Sequence, residues 1–431
     1  MKINILKTTF IMIFLNLISK VLGFLRDYMT AINFGTTIEA DAYLMASNIP
    51  NILFVIIGTA ITTTFIPIYN EIKHNKGKEE LRAFYCNVLT ILVIISFFIT
   101  IFTEIFTPIL VQIIAPGFEG AKYELTILLT RILSSVIILN TIIYMFNSIL
   151  QCEGNFSIPA AIGIPYNLVL IVYYIFFSDK FGVIGISICV SIALIIQVII
   201  LYRYIKRVNF KYKFTVNFND KSLRKMISLL LPVCIGTGMT QLNGIFNGIF
   251  SSGLDSGSVA AMNYALKLNM LISDIIIMSL ITVAYQNMTQ IVACNDYEEL
   301  AKESNKSIII MFIILIPIIV VSFILGEFLV KVLFERGAFD SKSTYLTASA
   351  FRYYSIGLFG IAINNLFTRT CYAIKDTKTP MIATAISIVI NITLGYLLKD
   401  IFGIKGIAIS STVGIIVSAF IRELKADSEN V

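Results

Sequence analysis

Residues 307–325 read SIIIMFIILIPIIVVSFIL, a stretch without a single charge. Coiled as an α-helix it is about 28 Å long, close to the roughly 30 Å hydrocarbon thickness of a bilayer. Residues 88–103, VLTILVIISFFITIFT, have the same character. The rest of the chain follows suit: of 431 residues, 57% are hydrophobic and 14% charged, where a soluble domain carries roughly 25% charge. A soluble chain of this length would form two or three domains, each needing a polar surface. There are too few polar residues to make one. The sequence is that of a polytopic membrane protein, which excludes a soluble enzyme, a secreted module and a nucleic-acid binder.

Apolar segments bounded by charge or by Gly, Pro and Asn predict an all-α chain of about twelve transmembrane helices. They run approximately 10–34, 40–68, 85–112, 125–150, 159–177, 182–204, 226–251, 258–290, 306–333, 346–373, 380–398 and 404–421. The basic, then apolar N-terminus superficially resembles a signal peptide. Its apolar run continues through Lys20 and Arg26 with no small-residue cleavage site, so it is read as a retained first helix. A cytoplasmic N-terminus places Lys73, Lys76, Lys78, Arg82 and the eight Lys/Arg from Arg203 to Lys225 inside. In all, 20 basic residues then lie inside and 7 outside, as the positive-inside rule requires. Both termini are expected in the cytoplasm.

The chain also repeats itself at an offset of about 221 residues. Leu125-Thr126 and Arg131 recur as Leu346-Thr347 and Arg352, and Pro159 recurs as Pro380. Phe181-Gly182-Val183-Ile184-Gly185-Ile186 recurs as Phe402-Gly403-Ile404-Lys405-Gly406-Ile407. Six helices per half, an even number, give both halves one orientation. The expectation is two six-helix lobes, 1–205 and 226–431, joined by a basic cytoplasmic linker, 206–225. They would be related by a pseudo-two-fold axis along the membrane normal, with a path between them and rocking as the motion.

Soluble-type chemistry is missing from the sequence. The six cysteines are scattered without a CxxC, His74 is the sole histidine, and no GxxxxGK[ST] loop occurs. No catalytic residue, metal ligand or cofactor is expected, and the cysteines read as packing residues. Tryptophan is absent, so tyrosine supplies the interfacial belts.

The chemistry that remains is charge at membrane depth, which costs roughly 2.5–3.5 kcal/mol per residue on insertion scales and marks function by default. Arg369, near a span end, reads as snorkelling to the headgroups, and the repeated Arg131 and Arg352 as structural. Lys20 and Arg26 in the first helix stand about 120° apart on an ideal helix, so lining one cavity requires it to wrap the helix or a bend at Gly23 between them. Asp27 adjoins Arg26 without facing it but shares the stripe of Lys20, seven residues away. Lys267 and Asp274 repeat that spacing, and Asp41 could pair with Arg26. These acids suit a gating ion pair, a coupling-ion site or plain neutralisation. The net sign is positive, which suits an anionic cargo in a wet cleft between the lobes.

Several strings carry a specific resemblance. Ser19-Lys20-Val21-Leu22-Gly23-Phe24-Leu25-Arg26-Asp27, Ala40-Asp41-Ala42, Ile49-Pro50-Asn51 and Phe65-Ile66-Pro67 open the series. Ala115-Pro116-Gly117-Phe118, Asn155-Phe156-Ser157-Ile158-Pro159-Ala160, Phe334-Glu335-Arg336-Gly337-Ala338-Phe339 and Tyr372-Ala373-Ile374-Lys375-Asp376-Thr377-Lys378-Thr379-Pro380 continue it. In this order they resemble the MurJ (MviN) lipid II flippases of the multidrug/oligosaccharidyl-lipid/polysaccharide exporter superfamily.

The resemblance implies a twin-lobed carrier, not an enzyme, that moves the polyprenyl-pyrophosphate-linked peptidoglycan precursor lipid II to the outer leaflet. The movement would be by alternating access in a bacterial cytoplasmic membrane. It implies no cofactor, drive by the membrane potential or a coupling ion, and cell-wall synthases as possible partners. By position, Arg26 and Asp41 match family cavity residues. Lys20 and Lys267 stand where arginines are usual, which exchanges the phosphate-matching fork for a point charge. The sequence departs from the family in having Phe54-Val55 where arginines are typical, Met270 where an acid is usual, and twelve spans where fourteen are typical. Rival readings are a flippase for another lipid-linked oligosaccharide, an ion-coupled MATE-like drug exporter and a scaffold that recruits a synthase.

Overall fold

The structure, a computed structural model, describes residues 5–208, 210–294, 297–373, 376 and 378–428. Ile374, Lys375 and Thr377 of the last family string, Met1 and Lys2 of the N-terminus, and residues 429–431 lie outside the described residues. Every regular element among the described residues is helical. Eleven helical stretches there are long and apolar enough to cross a membrane, and the 30-residue helix α1 (Ile5–Phe34) precedes them. The chain is a multi-pass membrane protein of the expected fold class.

The helices run past the apolar segments that announce them. Helix α2 is Ile38–Asn75 and α3 Lys78–Ile114. The fourth span is two segments, α4 (Gly120–Ser134) and α5 (Val136–Cys152), and so is the fifth, α6 (Ser157–Ala161) and α7 (Gly163–Phe176). Helix α8 (Ser178–Arg207) completes the first six spans, and α9 (Lys221–Ser252) opens the second. The eighth span is α10 (Ser258–Ile272), a π-helical turn (Ser273–Ile277) and α11 (Met278–Ala293). Helices α12 (Tyr297–Phe334), α13 (Ser341–Ala373), α14 (Lys378–Phe402) and α15 (Ile404–Ser428) follow. The extra turns of α3 and α12 are charged, with Glu79, Glu80, Glu298 and Glu299 at the positive helix ends, where acidic side chains stabilise the dipole.

The chain forms two compact units. The first comprises residues 1–33, 42–113 and 118–238; the second comprises 34–41, 114–117 and 239–431. In the first, α8 packs against α4, α5 and α7, and Phe65 stacks on Phe84 with ring centroids 5.5 Å apart. In the second, α13 packs against α10, α12 and α15.

The sequence repeat is written into the backbone of each unit. Gly182 and Gly403 both take a left-handed φ, 51° and 57°, a conformation open to glycine without a Cβ penalty. Three residues on, a methyl group on Gly185 would strike the Tyr173 hydroxyl, and one on Gly406 would strike the Leu398 carbonyl oxygen. Pro159 and Pro380 are each the third residue of their helix, where a missing N–H is tolerated. Asn155 Oδ1 accepts the Ile158 N–H (3.4 Å) and Asp376 Oδ1 the Lys378 N–H (2.9 Å). A Gly406→Ala variant is expected to lower the midpoint of thermal aggregation in detergent, losing about 1–3 kcal/mol to overpacking; an unchanged midpoint would contradict the close approach.

Outside the spans, Asp340 starts α13 by accepting the Ser343 N–H and hydroxyl, each at 2.8 Å. These bonds hold its carboxyl below the usual range. The cap is in place above the ordinary Asp pKa and is lost as the pH falls through the lowered value.

Candidate functional site

Helix α1 carries a seam of small and polar residues at Ser19, Gly23, Arg26, Thr30 and Asn33, alternating steps of four and three that keep one helix face. This face meets α7 and the start of α8. Arg26 Nη1 donates to Asn167 Oδ1 at 3.2 Å, and Asn167 Nδ2 donates to the Ser19 carbonyl at 3.2 Å. The Thr30 hydroxyl lies 2.8 Å from Tyr174 Oη, and Ser178 Oγ donates to Asn33 Oδ1 at 2.7 Å. The Arg26 guanidinium also lies 5.8 Å from the Tyr166 ring centroid.

Asp27 corrects the expectation drawn from adjacency. It was not expected to face Arg26, yet Arg26 Nη2 and Nε reach its Oδ1 at 2.6 and 3.0 Å. Helical neighbours point 100° apart at Cβ, but the long arginine side chain curls back to close the gap. The pair is partly open, with side-chain exposures of 25% and 22%. Lys20, on the next stripe of α1, is exposed. Gly23 lies within unbroken helix, and a methyl there would touch Asn167 Nδ2 at an ordinary 3.7 Å.

Asp41 belongs to the second unit, fully buried in the hairpin 34–41. Its Oδ2 accepts the Gly257 N–H at 2.7 Å and its Oδ1 the Ala260 N–H at 2.8 Å. The sequence offered Arg26 as its partner; the structure gives its oxygens to the first turn of α10. Helix N-termini carry unpaired N–H groups and about half a positive charge, which lets a carboxylate sit there buried. The same hairpin is pinned by Tyr264 Oη donating to the Gly35 carbonyl at 3.0 Å and by the 2.8 Å contact of the Thr36 and Ser343 hydroxyls. Further along this span, Lys267 is half-buried and Asp274 exposed. Asp274 falls inside the π turn, whose i→i+5 bond runs from the Met278 N–H to the Ser273 carbonyl. The seven-residue stripe joining it to Lys267 assumed an uninterrupted α-helix, and the wide turn breaks that register.

Two of the remaining in-span cations have local partners: Arg352 pairs with Glu327 at 3.1 Å, and Arg369 lies 5.4 Å from the Tyr285 ring centroid. Arg131 is exposed. Two features escaped sequence reading. The first is an amide and hydroxyl cluster in the second unit: Asn391 Nδ2 donates to Asn243 Oδ1 (3.0 Å) and Asn247 Oδ1 (3.3 Å), and Ser410 and Ser411 donate into it. Asn247 is the repeat counterpart of Arg26 at the same 221-residue offset. In each half, then, an asparagine of the fifth helix holds a first-helix residue, charged in one half and neutral in the other. The 221-residue offset does not reveal this, because it sets Ile388 rather than Asn391 opposite Asn167.

The second is Arg422, just past the last apolar segment and buried. Its Nη1 donates to the Asn364 carbonyl (2.9 Å) and Thr368 Oγ1, and its Nη2 to the Pro380 carbonyl (3.1 Å) and Thr384 Oγ1 (2.9 Å). It ties α13, α14 and α15 together. Arg422→Ala is expected to cost about 3–5 kcal/mol from lost charge-assisted bonds and orphaned acceptors, read as a lowered thermal midpoint in detergent. A midpoint within error of the parent would contradict the clamp.

Comparison with known proteins places this geometry. A family model described as Lipid II flippase MurJ matches residues 30–425. A "Probable lipid II flippase MurJ" of Buchnera aphidicola subsp. Baizongia pistaciae is 30% identical over 383 residues, covering 88% of this chain and 75% of that protein. The solved structure "Lipid II flippase MurJ, inward closed conformation" superposes with a TM-score of 0.86 at 26% identity, over 96% of this chain and 87% of that one. An inward-facing multidrug resistance MATE family transporter of the MOP superfamily superposes with a TM-score of 0.81 at 17% identity, covering 95% and 94%; this shows a shared fold alone.

Proposed function

This chain belongs to the Lipid II flippase MurJ family, and we propose that it carries lipid II across the membrane by alternating access, with Lys20, Arg26 and Lys267 as the cationic contacts of the pyrophosphate. It is a lipid II flippase, a transporter and not an enzyme. The observation that supports the residue assignment is Arg26: braced by Asn167 and Asp27, yet a quarter exposed. A braced guanidinium meets phosphate in a prepared orientation, which lowers the ordering cost of binding.

The physical problem is the headgroup. An isolated ion in hydrocarbon costs tens of kcal/mol by idealised Born estimates, so a cationic, hydrated lane must replace water while the polyprenyl tail stays in lipid. With the cytoplasm negative, a potential of 100 mV is worth about 2.3 kcal/mol per charge moved. It pulls a bare anionic cargo outward. Once the cations neutralise the pyrophosphate, it acts mainly on the return of the empty, positive site. The proposal includes cytoplasmic termini, no bound cofactor, drive by the potential or a coupling ion, and cell-wall synthases as neighbours. Depleting the protein in its host and analysing the lipid fraction by mass spectrometry tests the cargo. Lipid II should accumulate; accumulation of a different polyprenyl-linked glycan would reassign it.

A further inference from the structure

The segment joining α8 to α9 is a strap fastened along the first turns of α3. Phe210 stacks on Tyr85 (ring centroids 4.9 Å) and meets Phe146 edge-on (6.0 Å). The Lys211 carbonyl accepts Arg82 Nε at 3.0 Å, the Lys213 N–H donates to Cys86 Sγ at 3.3 Å, and Asn217 and Asn87 exchange two 2.8 Å bonds. The Tyr212 and Thr90 hydroxyls lie 2.9 Å apart. Fixed in this way, the strap still leaves Phe214 69%, Phe218 64%, Tyr212 49% and Val216 43% exposed. Lys211 and Lys213, also exposed, alternate with the aromatic residues.

A tethered backbone that holds four large apolar side chains outward marks an interaction surface. Its level on α3 names the partner. Cys86, Asn87 and Thr90 sit where the uncharged run 88–103 begins, so the strap lies at the edge of the hydrocarbon, where aromatic residues bury in the acyl boundary and lysines reach headgroups. Six further Lys/Arg between Arg203 and Lys225 flank it in the sequence, and such clusters are drawn to the anionic lipid of the cytoplasmic leaflet. We propose that strap 210–218 is an interfacial anchor, with Tyr212, Phe214 and Phe218 inserted among acyl chains and Lys211 and Lys213 bound to anionic lipid headgroups. The anchor would act whatever glycolipid the protein carries.

The absence of tryptophan from the sequence makes a clean test available. Phe214→Trp in the full chain, reconstituted in nanodiscs of phosphatidylcholine with or without phosphatidylglycerol, places one indole on the strap. Controls are Phe98→Trp, on the exposed apolar face of α3, and His74→Trp, in the charged end of α2. The expected result is blue-shifted emission and quenching by brominated acyl chains between the two controls. Both should be stronger with phosphatidylglycerol, and Lys211→Gln with Lys213→Gln should weaken both in phosphatidylglycerol discs. Phe218→Trp provides a second probe should the first variant fail to fold. Emission and quenching matching His74→Trp would overturn the anchor. Insertion indifferent to phosphatidylglycerol and to the lysine pair would overturn the anionic-lipid assignment.

Discussion

An Arg26→Ala chain is expected to leave a flippase-depleted cell unable to grow while its protein remains in the membrane at the parental level. The brace shows why both halves of that result belong together. Arg26 is the cation in a seam that is otherwise closed by neutral contacts, Thr30 with Tyr174 and Asn33 with Ser178. Removing the guanidinium leaves those contacts and the Asn167 bond to the Ser19 carbonyl intact, so the seam keeps its shape. What is lost is a charge-assisted contact to phosphate, worth about 1.5–3 kcal/mol, or roughly tenfold to a hundredfold in binding at 1.4 kcal/mol per decade. Removing the positive charge beside Asp27 deepens the loss, because less then offsets the repulsion between that carboxylate and the cargo. Arg26→Lys restores charge without the fork and should fall between the two. Normal growth of the alanine variant would reject the site.

Asp41→Ala is expected to produce the largest loss of stability. Two N–H groups at the start of α10 lose a buried charged acceptor, at about 1.5–3 kcal/mol for each such bond. Water cannot substitute easily, since the carboxylate is fully buried and Gly257 is jammed against the Thr36 carbonyl. Asp41→Asn keeps one oxygen and should recover part of the loss. The readout is the temperature at which the monodisperse detergent-solubilised peak disappears in size-exclusion chromatography. An alanine variant as stable as the parent would show that the cap contributes nothing.

The architecture was readable in the sequence because hydrophobicity and backbone chemistry are local. Residues 88–103 and 307–325 could only be spans, and the recurrence of Phe181-Gly182 as Phe402-Gly403 at one offset marked equivalent positions in the two halves. The site was half readable. Charge at membrane depth singled out Arg26 and Asp41, but a list of charges holds no helix ends, so the sequence offered Asp41 an arginine and did not show the two backbone N–H groups that reach its oxygens. Asn167 and Asn391 were invisible to a search for charge, being neutral amides in apolar spans. Arg422 escaped because it stands one residue beyond an apolar run, where a cation ordinarily faces headgroups. The π turn at Ser273–Ile277 leaves no periodic trace that would separate it from an α-helix.

The most direct test of transport through Arg26 uses the purified chain in vesicles loaded with lipid II, following exposure of the headgroup on the far leaflet by an impermeant enzyme. The parent should expose lipid II well above protein-free vesicles, and Arg26→Ala should fall to their level. Equal rates for parent and Arg26→Ala, or a parent no faster than bare vesicles, would contradict the assignment.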